Sequence, residues 1–105
     1  MKYIPYGRQY IDKNDISAVT KVLKNDLITS GKKVLEFEKK LIKYLKCKYS
    51  SVCNSGTSAI HLSLLAINLN KDDIVIMPAI NFTSSFNMAK SIGAKIYLAD
   101  VNKET

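Results

Sequence analysis

"YSSVCNSGTSAIHLSLLAINLNKDDIVIMP", residues 49–78, is the stretch whose reading decides the fold. Its hydrophobic period changes twice. "YSSVCN" (49–54) reads as a short strand, and Gly56 breaks the chain after it. "TSAIHLSLLAINL" (57–69) then reads as a helix, apolar on more than one side and therefore expected to be buried. "DIVIMP" (73–78) is a fully apolar strand stopped by Pro78. Downstream, "FTSSFNMAKSIG" (82–93) predicts a helix capped at its C-terminus by Gly93, and "KIYLAD" (95–100) a third strand. Residues 48–100 are thus β-α-β-α-β with short connections, which predicts an α/β fold with a parallel sheet covered by helices. Three such strands normally belong to a larger sheet, and "DVNKET" (100–105) closes none of its edges. Residues 48–105 are therefore expected to be the first, incomplete part of a larger domain. The isolated chain is expected to be poorly soluble or molten.

The upstream part, residues 1–47, reads differently. Pro5 and Gly7 disfavour a helix and leave residues 1–11 as an extended arm. A first helix fits residues 13–24, with Asp12 as cap, Asp15 at the third position, and a stripe of Ile16, Val19, Val22 and Leu23. "NDLITSGKK" (25–33) interrupts the pattern as a loop. A second helix over 33–45 carries Val34, Phe37, Leu41, Tyr44 and Leu45 on one face.

With 105 residues, 47% of them hydrophobic and 24% charged, the chain has the composition of a globular protein rather than a disordered one. No apolar run approaches the roughly 18 residues that span a bilayer. "MKYIPYGRQYIDKND" lacks the apolar core of a secretory signal, so no membrane partner and a cytoplasmic location are expected. Cys47, Cys53 and His61 make no zinc pattern and no disulfide framework. The thiols read as small buried or half-buried groups, with Cys53 close to the glycine turn, and His61 as a packing or surface residue.

Net charge is +7, and residues 1–48 carry all of it, with twelve basic residues against five acidic ones. A basic half could attract nucleic acid, an acidic ligand or another subunit. Yet Lys39, Lys40, Lys43 and Lys46 alternate with apolar positions of a helix, as on a solvated face. Basic residues are not interleaved with aromatic ones and no recognition module is visible, so nucleic acid is not an expected partner.

The turn "SGTS" (55–58) has the chemistry of an anion cup. Gly56 allows close approach and positive φ. The amides of Thr57, Ser58 and Ala59 are expected to be unsatisfied first-turn donors at the positive end of the helix dipole. The hydroxyls of Ser55, Thr57 and Ser58 add neutral donors. In an open parallel sheet the carboxyl end of a strand is where ligands usually bind. Neither G-x-x-x-x-G-K-[ST] nor G-x-G-x-x-G occurs, which argues against ATPase and dinucleotide sites. A plain helix cap would look the same. At the end of the next strand, Phe82 is placed to stack on a planar ring or else to pack in the core, and Thr83, Ser84 and Ser85 could donate to oxygens of such a ring. Together these features fit a flat phosphorylated cofactor.

Four stretches carry a resemblance: "IPYGRQYIDKNDISAVTKVLKNDLITSGKKVLEFEKKL" (4–41), "NSGTSAIHLSLLAI" (54–67), "MPAINFTSSFNMAKSIGAK" (77–95) and "LADVNKET" (98–105). In content, order and spacing the chain resembles the N-terminal third of the DegT/DnrJ/EryC1/StrS sugar aminotransferases. The resemblance implies the first part of the large domain of the fold type I scaffold, pyridoxal 5′-phosphate as cofactor, and a homodimer. It implies that amides at Gly56, Thr57 and Ser58 grip the cofactor phosphate, that Phe82 stacks on the pyridine ring, and that Ser85 lies close by. It places Tyr6, Asp26, Leu27, Ile28 and Thr29 along the nucleotide-sugar pocket, with Arg8 as a diphosphate candidate.

The arm and the lysine-flanked Gly31 are similar to those of family members that aminate a UDP-linked 4-keto-6-deoxy sugar on the way to pseudaminic acid. Glutamate would be the amino donor. Transamination also needs a lysine bonded to the cofactor and an acid on the pyridine nitrogen. In this family both lie downstream of residue 105, so the chain is expected to lack catalytic residues and to be inactive alone. Relatives with histidine in place of that lysine dehydrate sugars instead. The alternative from another class is a non-catalytic α/β phosphate-binding module, which explains neither the arm nor "LITSGKKVLEFE" (27–38). The DNA after codon 105 discriminates between the two.

Overall fold

The computed structural model describes residues 3–5, 7–24 and 27–104. It forms two compact units, Met1–Ser50 and Ser51–Thr105.

The first unit holds helices α1 (Lys13–Leu23) and α2 (Lys32–Leu45). Asp12 starts α1 as expected. Its carboxylate accepts from the amides of Asn14 at 2.7 Å and Asp15 at 3.1 Å, while the Asp15 carboxylate accepts from the Asp12 amide at 2.9 Å. Two orphan donors of the first turn are satisfied within three residues, which is why the helix begins here. Asp12→Ala is expected to destabilise α1 by about 1 kcal/mol, read as a loss of helical circular dichroism.

Helix α2 starts differently. Gly31 caps it with no side-chain bond. A Cβ on Gly31 would stand 2.9 Å from the Leu27 carbonyl oxygen, so the turn before α2 closes only over a glycine. The helix ends where Lys46 turns left-handed at φ 53°. On its exposed side Lys33 and Glu36 form an ion pair one turn apart. The hydrogen bond from Lys33 holds the Glu36 carboxyl below its ordinary range, helped by the charges of Lys33, Lys40 and Lys32. A depressed folded pKa means the pair contributes above the unfolded value and is lost as pH falls through the folded one. Carboxyl NMR of Lys33→Gln is expected to show Glu36 titrating at higher pH than in the unmodified chain.

The second unit contains α3 (Gly56–Ala66), β1 (Ile74–Pro78), α4 (Ser84–Ile92) and β2 (Lys95–Ala99). Strands β1 and β2 are parallel, with Ile74 opposite Lys95 and Pro78 opposite Ala99. Two further bonds extend the ladder, from the Lys95 amide to Asp73 at 3.0 Å and from the Ala79 amide to Ala99 at 2.8 Å. Helix α4 is the crossover and packs on both strands and on α3. It stops at Gly93, whose φ of 95° is a conformation that side chains disfavour. Met77, Ala89 and Ala94 form the buried apolar centre, with Ala89 at 0% exposure.

Two expectations fail. Residues 49–54 form no strand, and the sheet among the described residues has two strands rather than three. An extended pattern becomes a strand only when a neighbour supplies its ladder, and the ladder found among the described residues runs between β1 and β2. Helix α3 is not buried either: none of its residues is, and Leu62 and Leu65 stand at 52% and 47% exposure. A helix apolar on several sides needs several neighbours, and in this unit α3 packs chiefly on α4.

Candidate functional site

Helix α3 opens on the turn singled out in the sequence. Ser55 is its N-cap, extended at φ −156° and ψ 157°. The Ser55 Oγ accepts from the Ser58 amide at 3.2 Å, and the Ser55 carbonyl accepts from the Ala59 amide at 3.0 Å. The expectation that Ser58 and Ala59 offer free amides is therefore corrected, because both donors are used inside the helix cap. Among the described residues, the amides of Gly56 and Thr57 have no partner. No acidic residue occupies the first turn, so nothing on α3 itself neutralises this end of the helix.

Gly56 is helical rather than left-handed, which corrects the expected positive φ. A Cβ built there meets nothing within 4 Å. The chain's own packing thus makes no demand for glycine at position 56. What glycine does leave is open space beside two unpaired amides.

The surrounding polar groups are organised. The Ser58 hydroxyl donates to Asn54 Oδ1 at 2.9 Å, and the Ser55 and Ser58 hydroxyl oxygens are 3.0 Å apart. Cys53, expected to be at least half-buried, is exposed and its thiol donates to the Ser55 carbonyl at 3.3 Å. Cys47 is half-buried, and both thiols are free. His61 is half-buried on α3. No group of three metal-ligating side chains occurs among the described residues.

Phe82 lies past the carboxyl end of β1, two residues before α4, with 76% of its surface exposed. It is not a core residue. Its amide donates to Asn81 Oδ1 at 2.7 Å. Thr83 caps α4 without a side-chain bond, and Ser85 is half-buried. Ser84, grouped with them in the sequence, is buried at 6% exposure and turned into the core instead.

In the first unit, Leu27 and Ile28 line a cavity of about 550 Å³ together with Lys24, Lys32, Lys33 and Val34. Thr29 lies in the turn beside it, followed by Ser30 at φ 52°. Tyr6 and Asp26 lie outside the described residues. Arg8 is exposed. Sequence reasoning did not single out Lys24, Lys32 and Lys33 at this cavity; "SGKK" (30–33) was the only signal.

Known proteins are similar to this chain in sequence and fold. The model of the DegT/DnrJ/EryC1/StrS aminotransferase family matches residues 9–105. The chain belongs to this family. Over 101 residues it is 42% identical to a UDP-4-amino-4,6-dideoxy-N-acetyl-beta-L-altrosamine transaminase of Campylobacter jejuni, covering 96% of this chain and 27% of that protein. It is 34% identical over 103 residues to a UDP-4-amino-4-deoxy-L-arabinose–oxoglutarate aminotransferase of Shewanella sediminis, covering 98% of this chain and 26% of the relative. Among solved structures, the PLP form of a sugar aminotransferase from Streptococcus pneumoniae superposes with a TM-score of 0.86 at 30% identity, over 97% of this chain and 26% of that one. An aminotransferase of Helicobacter pylori involved in the biosynthesis of pseudoaminic acid gives a TM-score of 0.82 at 31% identity, over 96% of this chain and 28% of that one. The chain spans about a quarter of the length of these aminotransferases. Among its described residues, no helix is long and apolar enough to cross a membrane.

Proposed function

We propose that this chain supplies the cofactor-phosphate turn and part of the sugar pocket of a pyridoxal-phosphate-dependent nucleotide-sugar aminotransferase. The reaction moves an amino group from glutamate to a UDP-linked 4-keto-6-deoxy sugar, leaving 2-oxoglutarate and the 4-amino sugar. One observation carries this reading: where the family resemblance puts the cofactor phosphate, two amides at a helix N-terminus have no partner, and the chain leaves the space beside them open.

The residues present fit the group. Gly56 and Thr57 would donate their amides to the phosphate, with the Thr57 hydroxyl beside them. The exposed Phe82 ring would lie on the pyridine, with Ser85 near by. Bound there, pyridoxal phosphate supplies the electron-withdrawing ring that stabilises negative charge as the amino group moves. In the sugar pocket, Tyr6, Asp26, Leu27, Ile28 and Thr29 would orient the substrate, and Arg8 would meet its diphosphate. The lysine that moves the proton is assigned to none of this chain's own lysines. Assembly as a homodimer and work in the cytoplasm belong to the same reading.

The test is to express the whole reading frame and supply glutamate and the UDP-linked keto sugar. 2-Oxoglutarate is expected to appear in step with the amino sugar, while the 105-residue chain alone is expected to yield none. Formation of 2-oxoglutarate by the short chain would overturn the assignment of the lysine. Release of water from the sugar without 2-oxoglutarate would make the enzyme a dehydratase instead. Phe82→Ala is expected to lower cofactor affinity about three- to tenfold, seen as faster loss of the absorbance near 420 nm on dialysis.

A further inference from the structure

We infer that Asn54 and Ser58 are positioning residues that brace the phosphate turn, and that Ser58 is not a phosphate ligand. The inference rests on the aminotransferase reading above. It starts from proton bookkeeping in three side chains. The Ser58 hydroxyl has one proton, and at 2.9 Å it goes to Asn54 Oδ1. The contact of 3.0 Å between the two serine oxygens must then use the Ser55 proton, donated to Ser58 Oγ. The Ser55 oxygen is left to accept, and it takes the Ser58 amide at 3.2 Å. The chain of donation runs from Ser55 to Ser58 to Asn54, with the Ser58 amide closing it back on Ser55.

Two consequences follow for a phosphate. Neither serine has a proton left to give, and the Ser58 amide is taken. The donors that remain are the amides of Gly56 and Thr57 and the Thr57 hydroxyl, a set of three matched to three phosphate oxygens. The network also fixes Ser55 in its capping rotamer, which holds the first turn of α3 rigid and keeps those two amides aimed outward. Without the brace, Ser55 can rotate, the Ser58 amide is released, and the turn frays. The donors then have to be ordered at the moment of binding, which weakens the phosphate contribution rather than the ring contribution.

The experiment uses pyridoxamine 5′-phosphate and pyridoxamine as probes, because neither carries an aldehyde that reacts with lysines. Their affinity ratio on the enzyme from the whole reading frame isolates the phosphate. Ser58→Ala and Asn54→Ala are each expected to lower that ratio about three- to tenfold, the effect of one hydrogen bond, while pyridoxamine binds as before. Ser58→Thr keeps the hydroxyl and is expected to restore the ratio. A loss of general stability would weaken both probes together and leave the ratio unmoved. In parallel, titration of the labelled enzyme with inorganic phosphate is expected to shift the amide resonances of Gly56 and Thr57 and spare that of Ser58. Equal shifts at Ser58 and Thr57, or an unchanged ratio in Ser58→Ala, would overturn the brace while leaving the phosphate site standing. If phosphate moves neither Gly56 nor Thr57, the site itself fails and the brace with it.

Discussion

Thr57→Pro is expected to bind pyridoxal 5′-phosphate roughly ten- to a hundredfold more weakly than the unmodified enzyme. Proline removes one N–H, and at the second position of α3 that N–H has no partner inside the helix. No intrahelical bond is lost. The restriction proline imposes on the residue before it falls on Gly56, the residue type with the most conformational freedom. The phosphate loses two donors, the Thr57 amide and the Thr57 hydroxyl. The amide alone is one charge-assisted hydrogen bond, about 1.5–3 kcal/mol, so the stated factor is the least expected. Gly56→Ala offers a second view of the same corner. Its new methyl meets nothing within 4 Å in the chain, so the melting temperature is expected to hold or rise while cofactor affinity falls. Equilibrium dialysis of both variants reads the effect. Wild-type affinity in Thr57→Pro would place the phosphate elsewhere on the protein.

Met77→Ala is expected to cost the second unit about 2–5 kcal/mol, the range for truncating a buried side chain and leaving a cavity. Among the described residues, Met77 is the one large apolar side chain of the three that are buried; the other two are alanines. A domain's net stability is only about 5–15 kcal/mol, and a unit with so few buried groups has little margin to absorb the loss. Hydrogen exchange should register it first at the paired amides of β1 and β2, with α4 following because it packs on both strands. An unchanged exchange pattern would mean that the stability of this unit comes from elsewhere.

Local structure was legible in the sequence wherever its cause was local. Asp12 and Asp15 start α1 through bonds that span three residues. Gly93 ends α4 because the left-handed turn there disfavours any side chain. "DIVIMP" and "KIYLAD" gave β1 and β2 within a residue or so, since short apolar runs bounded by breakers leave few alternatives. "YSSVCN" had the same look and formed no strand, because pairing depends on which partners are present. Gly56, Thr57 and Phe82 could be nominated for the candidate site from residue type and order. The engagement of the Ser58 amide and the burial of Ser84 could not, since each depends on which way a side chain turns once the helix has formed.

By itself the sequence determined the class of fold and, to within a few residues at their ends, the helices α1 to α4. Those follow from periodicity and from capping chemistry, which act over a few residues and survive any change of surroundings. Only the tertiary structure decided that the sheet among the described residues has two strands, that no residue of α3 is fully buried, and that in its first turn the amides of Gly56 and Thr57 have no partner. The physical reason is that ladder pairing, burial and the competition for a hydrogen-bond donor are settled between groups brought together by folding, and residue order along the chain does not specify the winner.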